Sequence, residues 1–235
     1  MTTTRKTKTS TKSKSSGTKA KAKAAGAGAV EILQEYGPYP GIDHIHGVTY
    51  DGENIWFATG ESLMAVDPKN GKRVRKLEVI AEAGTAYDGK YLWQIADERI
   101  QKIDPRSGKV VNTIPAPSHG RDSGLTWAEG TLWVGEYRAR KIRQIDAETG
   151  AILRTFDSDR FVTGVSWAND ELWHATLEDG KSDIRRINPK TGKVLEKMEL
   201  PTGVTVSGME TDGAGVFYCG GSSSGKIRVV RRVKS

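Results

Sequence analysis

The residues most suited to chemistry in this chain are its four histidines. His44 and His46 stand one residue apart in IDHIHG, and His119 and His174 lie further along the sequence. Imidazole titrates near neutral pH, so it serves as a general base or as a metal ligand. On one strand, the rings of His44 and His46 would point to the same side, as metal binding requires. The alternative is a structural pair that caps the start of a strand.

Five sequence repeats position these residues. Each repeat begins with a glycine, runs through a short strand to a turn and enters a second strand. In the first four repeats, a third strand, another turn and a fourth strand follow. The five segments are GVTYDGENIWFATG, GTAYDGKYLWQIAD, GLTWAEGTLWVGEY, GVSWANDELWHATL and GMETDGAGVFYCGG. Their opening glycines, Gly47, Gly84, Gly124, Gly164 and Gly208, are 37, 40, 40 and 44 residues apart. Four short antiparallel strands repeated at this spacing predict an all-β fold, a five-bladed β-propeller of four-stranded blades.

The last repeat lacks an outermost strand, because the chain ends soon after KIRVVRRV. The segment AVEILQEYG, residues 29–37, has the pattern of the fourth strands and precedes the first repeat. We therefore expect this N-terminal strand to complete the last blade and close the ring, which removes an exposed sheet edge. The predicted organisation is a disordered basic tail over 1–28 and a propeller over 29–235.

The positive charge of the chain is concentrated in that tail. Residues 1–28 carry eight of the 36 basic residues and no acid, so the remaining 28 basic residues face 29 acidic ones. The tail contains few apolar residues and is predicted to be disordered. It favours weak contact with nucleic acid or an anionic surface by counterion release. A purely solubilising tail is the alternative.

The predicted topology places the histidines at one end of the molecule. In such a blade, the link into the first strand and the link between the second and third strands share one face. These links differ strongly between repeats, as in YPGIDHIHG, IAEAG and APSHGRDSG, whereas the turns of the other face are alike. Variable loops on a uniform scaffold are typical of a binding surface. His44, His46 and His119 fall in these links, and the strand that carries His174 runs toward them.

Two carboxylates interrupt columns of small residues. Glu210 occupies the position of Thr49, Ala86, Thr126 and Ser166, and Glu136 that of Thr59, Ala96, Thr176 and Gly220. A buried carboxylate needs a cation, a histidine or a hydrogen-bond donor, so each is either functional or part of a structural ion pair. Arg121 and Asp122 lie in the third entry loop, where they are either functional or form a salt bridge with each other. The predicted catalytic residues are His46, His119, Glu136 and Glu210; the predicted ligand-binding residues are His44, Arg121, Asp122, His174 and Tyr218; and the predicted metal ligands are His44, His46 and Glu210.

The repeat layout over residues 29–235 resembles the five-bladed glutaminyl cyclases of plants and bacteria. IHGVTYDGENIWFATG is similar to their opening blade, which contains Gln-Gly-Leu and Leu-Tyr-Glu-Ser-Thr-Gly elements, and LWQIAD and GKIRVVRRV are similar to later segments. His46 stands where that family has its glutamine, and Phe57 where it has its first-blade glutamate. The resemblance implies a propeller fold and the cyclisation of N-terminal glutamine.

The repeats also resemble those of streptogramin lyases, seven-bladed propellers that use a divalent metal to linearise a cyclic depsipeptide. His46 with Gly47 matches their His-Gly-Ile element, and Trp133 to Glu136 matches their Trp-Phe-Thr-Glu element. IDPRSG and INPKTG match their turn, and His119 lies several residues from the position of a family histidine. This resemblance implies a lyase with a divalent metal, magnesium or zinc.

Together these observations predict an enzyme that acts on a small-molecule, peptide-like or ester substrate by elimination or cyclisation. His46 or His119 would be the general base, and Glu210 or Glu136 would hold a metal or orient a histidine. The rival prediction is a non-catalytic ligand- or protein-binding propeller localised by its basic tail. We expect a cytoplasmic protein, because no apolar run suits a membrane span and the single Cys219 excludes an intrachain disulfide. We also expect a monomer.

Overall fold

The computed structural model describes Met1 and residues 26–233, which contain twenty β-strands and no helix. The first strand, β1 (Gly26–Tyr36), precedes the repeats. The first two repeats contain β2 (Val48–Tyr50), β3 (Ile55–Ala58), β4 (Leu63–Val66), β5 (Arg73–Leu77), β6 (Thr85–Tyr87), β7 (Leu92–Ala96), β8 (Arg99–Ile103) and β9 (Val110–Pro115). The last three contain β10 (Asp122–Ala128), β11 (Thr131–Glu136), β12 (Lys141–Asp146), β13 (Ile152–Asp157), β14 (Phe161–Ala168), β15 (Glu171–Glu178), β16 (Lys181–Ile187), β17 (Val194–Glu199), β18 (Gly208–Thr211), β19 (Val216–Gly220) and β20 (Ile227–Val233). The described residues accordingly include no helix long and apolar enough to cross a membrane.

Hydrogen bonding groups the strands into four sheets. Strands β2–β5, β6–β9 and β10–β13 form three antiparallel sheets of four strands each. The remaining strands form one eight-stranded sheet in the order β14-β15-β16-β17-β1-β20-β19-β18. Within it, two antiparallel runs of four strands are joined by a parallel pairing of β1 with β17. The all-β prediction is confirmed, but the described residues form four hydrogen-bonded sheets where five blades were predicted.

The length of β1 explains this difference. Residues 29–36 pair antiparallel with β20, which is the pairing expected of this segment. The strand already begins at Gly26, inside the predicted tail, and residues 26–28 pair with residues 196–198 of β17. This short extension joins the fourth and fifth repeats into a single sheet. Residues 2–25, most of the predicted disordered tail, lie outside the described residues, as do 234 and 235.

The opening glycines of the repeats lie where the first strands meet. Strands β2, β6, β10, β14 and β18 contact one another in chain order, and β18 also contacts β2. A Cβ atom on Gly84 would lie 2.4 Å from the backbone nitrogen of Leu125, and one on Gly208 would lie 2.5 Å from the carbonyl oxygen of His46. A Cβ atom on each remaining opening glycine would lie 2.3–2.9 Å from a backbone atom of the following repeat: Gly47, Gly124 and Gly164. We call these five residues the glycine ring, because only glycine allows the backbones to approach so closely.

Large aromatic side chains fill the space between the repeats. One aromatic residue of each second strand is buried: Trp56, Trp93, Trp133, Trp173 and Phe217. The indole N–H groups of Trp56 and Trp93 donate to the aspartates of the preceding turns, Asp51 and Asp88, at 2.6 and 2.9 Å. These bonds tie the first turns of the first two repeats to their buried rings, so these two hairpins are held rigidly.

Substitution of a glycine-ring residue should destabilise the whole fold. We expect Gly84→Ala to lower the free energy of unfolding by about 3 kcal/mol, since its Cβ would press on backbone rather than on an adaptable side chain. The control is Gly130→Ala, whose position has a positive φ but open space around it. It should cost only about 1 kcal/mol of backbone strain. Urea unfolding measures both, and equal losses would show that the ring tolerates a side chain.

Two truncations test the role of β1. Removal of residues 1–25 should leave the melting temperature unchanged, whereas removal of 1–36 should lower it strongly. The longer truncation exposes the edge of β20 and removes Tyr36, whose ring packs in the core and whose hydroxyl donates to the carbonyl of Pro68. Thermal melts of the two proteins provide the comparison. Matching melts would contradict a structural role for this strand.

Candidate functional site

A cavity of about 450 Å³ lies at the end of the molecule that carries the links into the first strands. All five repeats contribute to its wall through the residue that directly precedes the glycine ring. These residues are His46, Ala83, Ser123, Thr163 and Ser207. Because the glycines bring the strands together, the residues before them converge on one space. The entry links therefore do form a common concave surface.

His44 and His46 form one side of this cavity. Their ring centroids lie 4.5 Å apart with the planes inclined by 32°, and Nε2 of His44 lies 3.0 Å from Oγ of Ser222. Burial lowers the pKa of both imidazoles; the neighbouring His44 lowers that of His46 further, and Glu82 opposes this effect. Both rings are consequently neutral at pH 7, which is the form that accepts a proton.

Asp122 contributes a carboxyl group to the same cavity. Only 8% of this residue is exposed; Oδ2 accepts a hydrogen bond of 3.2 Å from the backbone N–H of Ser118. Its Oδ1 atom is buried and has no hydrogen-bond partner among the described residues. Burial raises the pKa of Asp122 to about 6, and the charge of Glu136 across the strand pair adds to this rise. Arg121 is exposed and donates to the carbonyl of Ser118 at 3.4 Å, so it does not neutralise Asp122.

Glu136 itself is engaged in an ion pair. Its carboxylate is buried and accepts hydrogen bonds from Nε and Nη2 of Arg143 on the next strand, β12. It does not contribute to the wall of the cavity. Glu136 therefore has the structural ion pair that is the alternative to a functional role for such a carboxylate.

Glu210 lies on the axis, on the far side of the glycine ring from the cavity. Its carboxyl group accepts hydrogen bonds from the hydroxyls of Ser166 and Thr49, the latter at 3.2 Å, and from the backbone N–H of Thr211 at 3.0 Å. The column of small residues seen in the sequence thus surrounds this side chain. Burial raises the pKa of Glu210 to about 7, although the hydrogen bonds act in the opposite direction. The carboxyl does not meet the histidine pair or a lysine.

Three other predicted residues lie away from the cavity. His174 is buried, neither ring nitrogen has a partner among the described residues, and burial next to Arg185 lowers its pKa to about 3. Tyr218 packs in the core with its ring 5.1 Å from that of Tyr50. His119 is exposed in a loop beside Glu98 and Arg99, at a backbone position with a positive φ of 49°. These positions do not bring the residues to His44 and His46.

The side chains present do not fit a divalent metal. The two imidazoles lie side by side, and Glu210 is separated from them by the glycine ring. Across residues 26–233 no group of three histidine, cysteine, aspartate or glutamate side chains is spaced to hold a metal ion. A zinc site needs at least three protein ligands, so we derive no chemistry through a metal.

Several cavity residues were not selected from the sequence. Glu82 lies in the second entry loop, and Tyr137 and Ser222 lie in the links between second and third strands. Their loops belong to the face of the repeats whose links vary in sequence. Glu82 was the one carboxylate of its loop and was therefore identifiable, whereas the serine carried no chemical signal.

Comparison with known proteins relates the fold to glutaminyl cyclases. A family model described as glutamine cyclotransferase matches residues 153–219, from β13 to β19, which excludes His44, His46 and Asp122. The crystal structure of glutaminyl cyclase from Myxococcus xanthus superposes with a TM-score of 0.72 at 16% identity, covering 89% of this chain and 98% of that one. Virginiamycin B lyase from Staphylococcus aureus superposes with a TM-score of 0.50 at 18% identity, over 85% of this chain and 70% of that one. No curated protein sequence matches. The chain therefore shares the all-β, propeller-like fold of a glutaminyl cyclase.

The buried carboxyl on the axis makes a pH-dependent contribution to stability. The pKa of Glu210 is about 7 in the folded chain against an ordinary 4.5, so the folded state holds its proton more tightly. The free energy of unfolding should therefore fall as pH rises from about 4.5 to about 7, by up to about 1.4 kcal/mol per pH unit. Glu210→Gln removes this titration and keeps an acceptor for the hydroxyls.

The difference in melting temperature between wild type and Glu210→Gln measures this contribution. Wild type should lose stability relative to the variant across that interval and not above it. The exposed Glu129→Gln serves as the control. A difference that does not change with pH would show that Glu210 titrates normally.

Proposed function

We propose that the chain is a five-bladed propeller enzyme that cyclises the N-terminal glutaminyl residue of peptides in the cavity beside His44 and His46. The observation that carries this proposal is the convergence of five repeats on one cavity that holds neutral imidazoles and an unpaired carboxyl. The similarity to a glutaminyl cyclase over nearly the whole chain supports cyclisation, and the weaker superposition on a lyase makes elimination the less favoured reaction.

The count of five blades is part of the proposal. The eight-stranded sheet is counted as two four-stranded blades, β14–β17 and β18–β20 with β1, which are joined by the pairing of β1 with β17. The glycine ring supports this count, since its five members contact one another in a closed cycle. A ring of five gives each repeat one entry loop at the cavity.

The proposed reaction is an intramolecular acyl transfer. The α-amine of the substrate attacks the side-chain amide carbon, a ring C–N bond forms, and the amide nitrogen leaves as ammonia. His46, neutral and at the cavity wall, takes the proton that the attacking amine loses. His44, held by Ser222, packs against His46 and fixes its orientation. The exposed carboxylate of Glu82 at the rim attracts the cationic amine of an incoming peptide, and this amine gives one proton to the solvent before it attacks.

The volume of the cavity suits such a substrate. About 450 Å³ lies within the usual range for small-ligand sites, about 300–1,000 Å³. A glutaminyl residue fits within this volume, and the following residues of the peptide would extend toward the solvent. The exposed rim imposes no limit on peptide length.

One observation favours the alternative of a non-catalytic binding module. Among the described residues, no side chain hydrogen-bonds to the ring of His46, whereas catalytic histidines are commonly oriented by a carboxylate. A binding module would retain the same peptide and release no ammonia. Turnover therefore decides between the two functions.

The experiment uses peptides that begin with glutamine, and measures ammonia release and the corresponding loss of mass. Peptides that begin with asparagine are the control substrates, because the same attack would close a smaller, strained ring. We expect turnover of the first set only. Binding of both sets without ammonia release would favour the binding module.

His46→Ala should lower kcat by about 100-fold or more, the usual contribution of a general base. Its matched control is His119→Ala, since that histidine is exposed and lies outside the cavity. The control should keep wild-type activity, and both variants should melt like the wild type. Equal activity of the two variants would remove His46 from the mechanism.

A further inference from the structure

We propose that Asp122 is the general acid of this site: its carboxyl group, in the protonated form, gives its proton to the amide nitrogen that leaves as ammonia. The inference rests on the proposed function and assigns to the cavity a group that the reaction needs in addition to a base. Neither the family match nor the similarity of fold points to this residue.

The geometry distinguishes the two oxygens of Asp122. Oδ2 accepts the backbone N–H of Ser118, which holds the carboxyl in one orientation. Oδ1 is buried and without a partner among the described residues, although the side chain forms part of the cavity wall. A buried polar atom without a partner is costly, and natural structures keep few of them. Asp122 therefore brings to the cavity wall a carboxyl group whose hydrogen-bonding capacity the described residues do not use fully.

The surroundings of Asp122 favour the protonated acid. Glu136 faces it from β11 and is itself paired with Arg143, and Tyr137 follows on the same link. The histidine pair and Glu82 belong to other entry links of the cavity, and both rings are neutral at pH 7. Asp122 forms no salt bridge within residues 26–233, and the nearby Arg121 is turned to a carbonyl. Burial raises its pKa to about 6, so the acid is about half protonated at pH 6 and about one tenth protonated at pH 7.

With both groups the proton balance of the reaction closes. The attacking amine gives one proton to His46 as the new C–N bond forms. The tetrahedral carbon then expels its amino group, and Asp122 supplies the proton that converts this group into ammonia. Asp122 is left ionised and His46 protonated, and exchange with water returns both to their starting forms. No oxidant, reductant or further reactant is needed.

The test compares wild type with Asp122→Asn, which keeps an acceptor for the N–H of Ser118 but has no proton to donate. We expect kcat on glutaminyl peptides to fall by about 100-fold or more with little change in KM. The melting temperature should stay the same or rise, because the variant no longer buries an ionisable carboxyl. Asp170→Asn, in an exposed turn with a positive φ that asparagine tolerates, is the matched control and should behave as wild type.

A pH profile separates this catalytic role from a structural one. The ratio of wild-type to Asp122→Asn activity should fall as pH rises through about 6, because only the protonated acid gives wild type its advantage. A ratio that is independent of pH, or an Asp122→Asn variant as active as wild type, would overturn the inference and leave the proposed function standing. Absence of turnover in wild type would overturn the proposed function and the inference with it.

Discussion

The absence of a side chain at five positions on the axis is the constraint on which the structure depends. At each member of the glycine ring a Cβ atom would meet the backbone of the next repeat at less than 3.0 Å. The close contacts at these positions are made between backbone atoms. A rearrangement of side chains therefore cannot relieve the steric clash that a substitution would create. Because each glycine opens its repeat, the same contact sets the register of all five first strands. The residues on either side of the ring are thereby placed in layers around one axis.

The two layers next to the ring have different chemistry. On the outer side, the residues that precede the glycines border an open cavity, and polar groups there remain available to a ligand. On the inner side, Glu210 is enclosed by hydroxyls that belong to other repeats, and its hydrogen-bonding capacity is used within the protein. A buried carboxyl with such partners is stabilised without a counter-ion. The first strands thus border an open cavity on one side of the glycine ring and enclose the carboxyl group of Glu210 on the other side.

The sequence predicted those features that follow from periodicity. The strands, the aromatic column and the shared face of the variable links all depend on repeat spacing and turn chemistry, and they appear in the structure. The partners of single side chains could not be predicted, because they depend on contacts between repeats. Glu210 meets hydroxyls rather than histidine, Arg143 on the next strand neutralises Glu136, and His119 lies in an exposed loop outside the cavity. The merging of two sheets depends on three residues, 26–28, whose composition resembles that of the tail.

The electrostatics of the cavity follow from burial rather than from ion pairing. Burial lowers the pKa of His46 and raises that of Asp122, so both shifts favour the uncharged form. A salt-bridged pair of the same residue types would behave in the opposite way and would hold the base protonated and the acid ionised. Proton transfer in both directions requires a free base and a protonated acid at the same pH. The proposed acid and base of this cavity would meet that requirement, whereas the Glu136–Arg143 pair beside them is an ion pair whose charges already compensate each other.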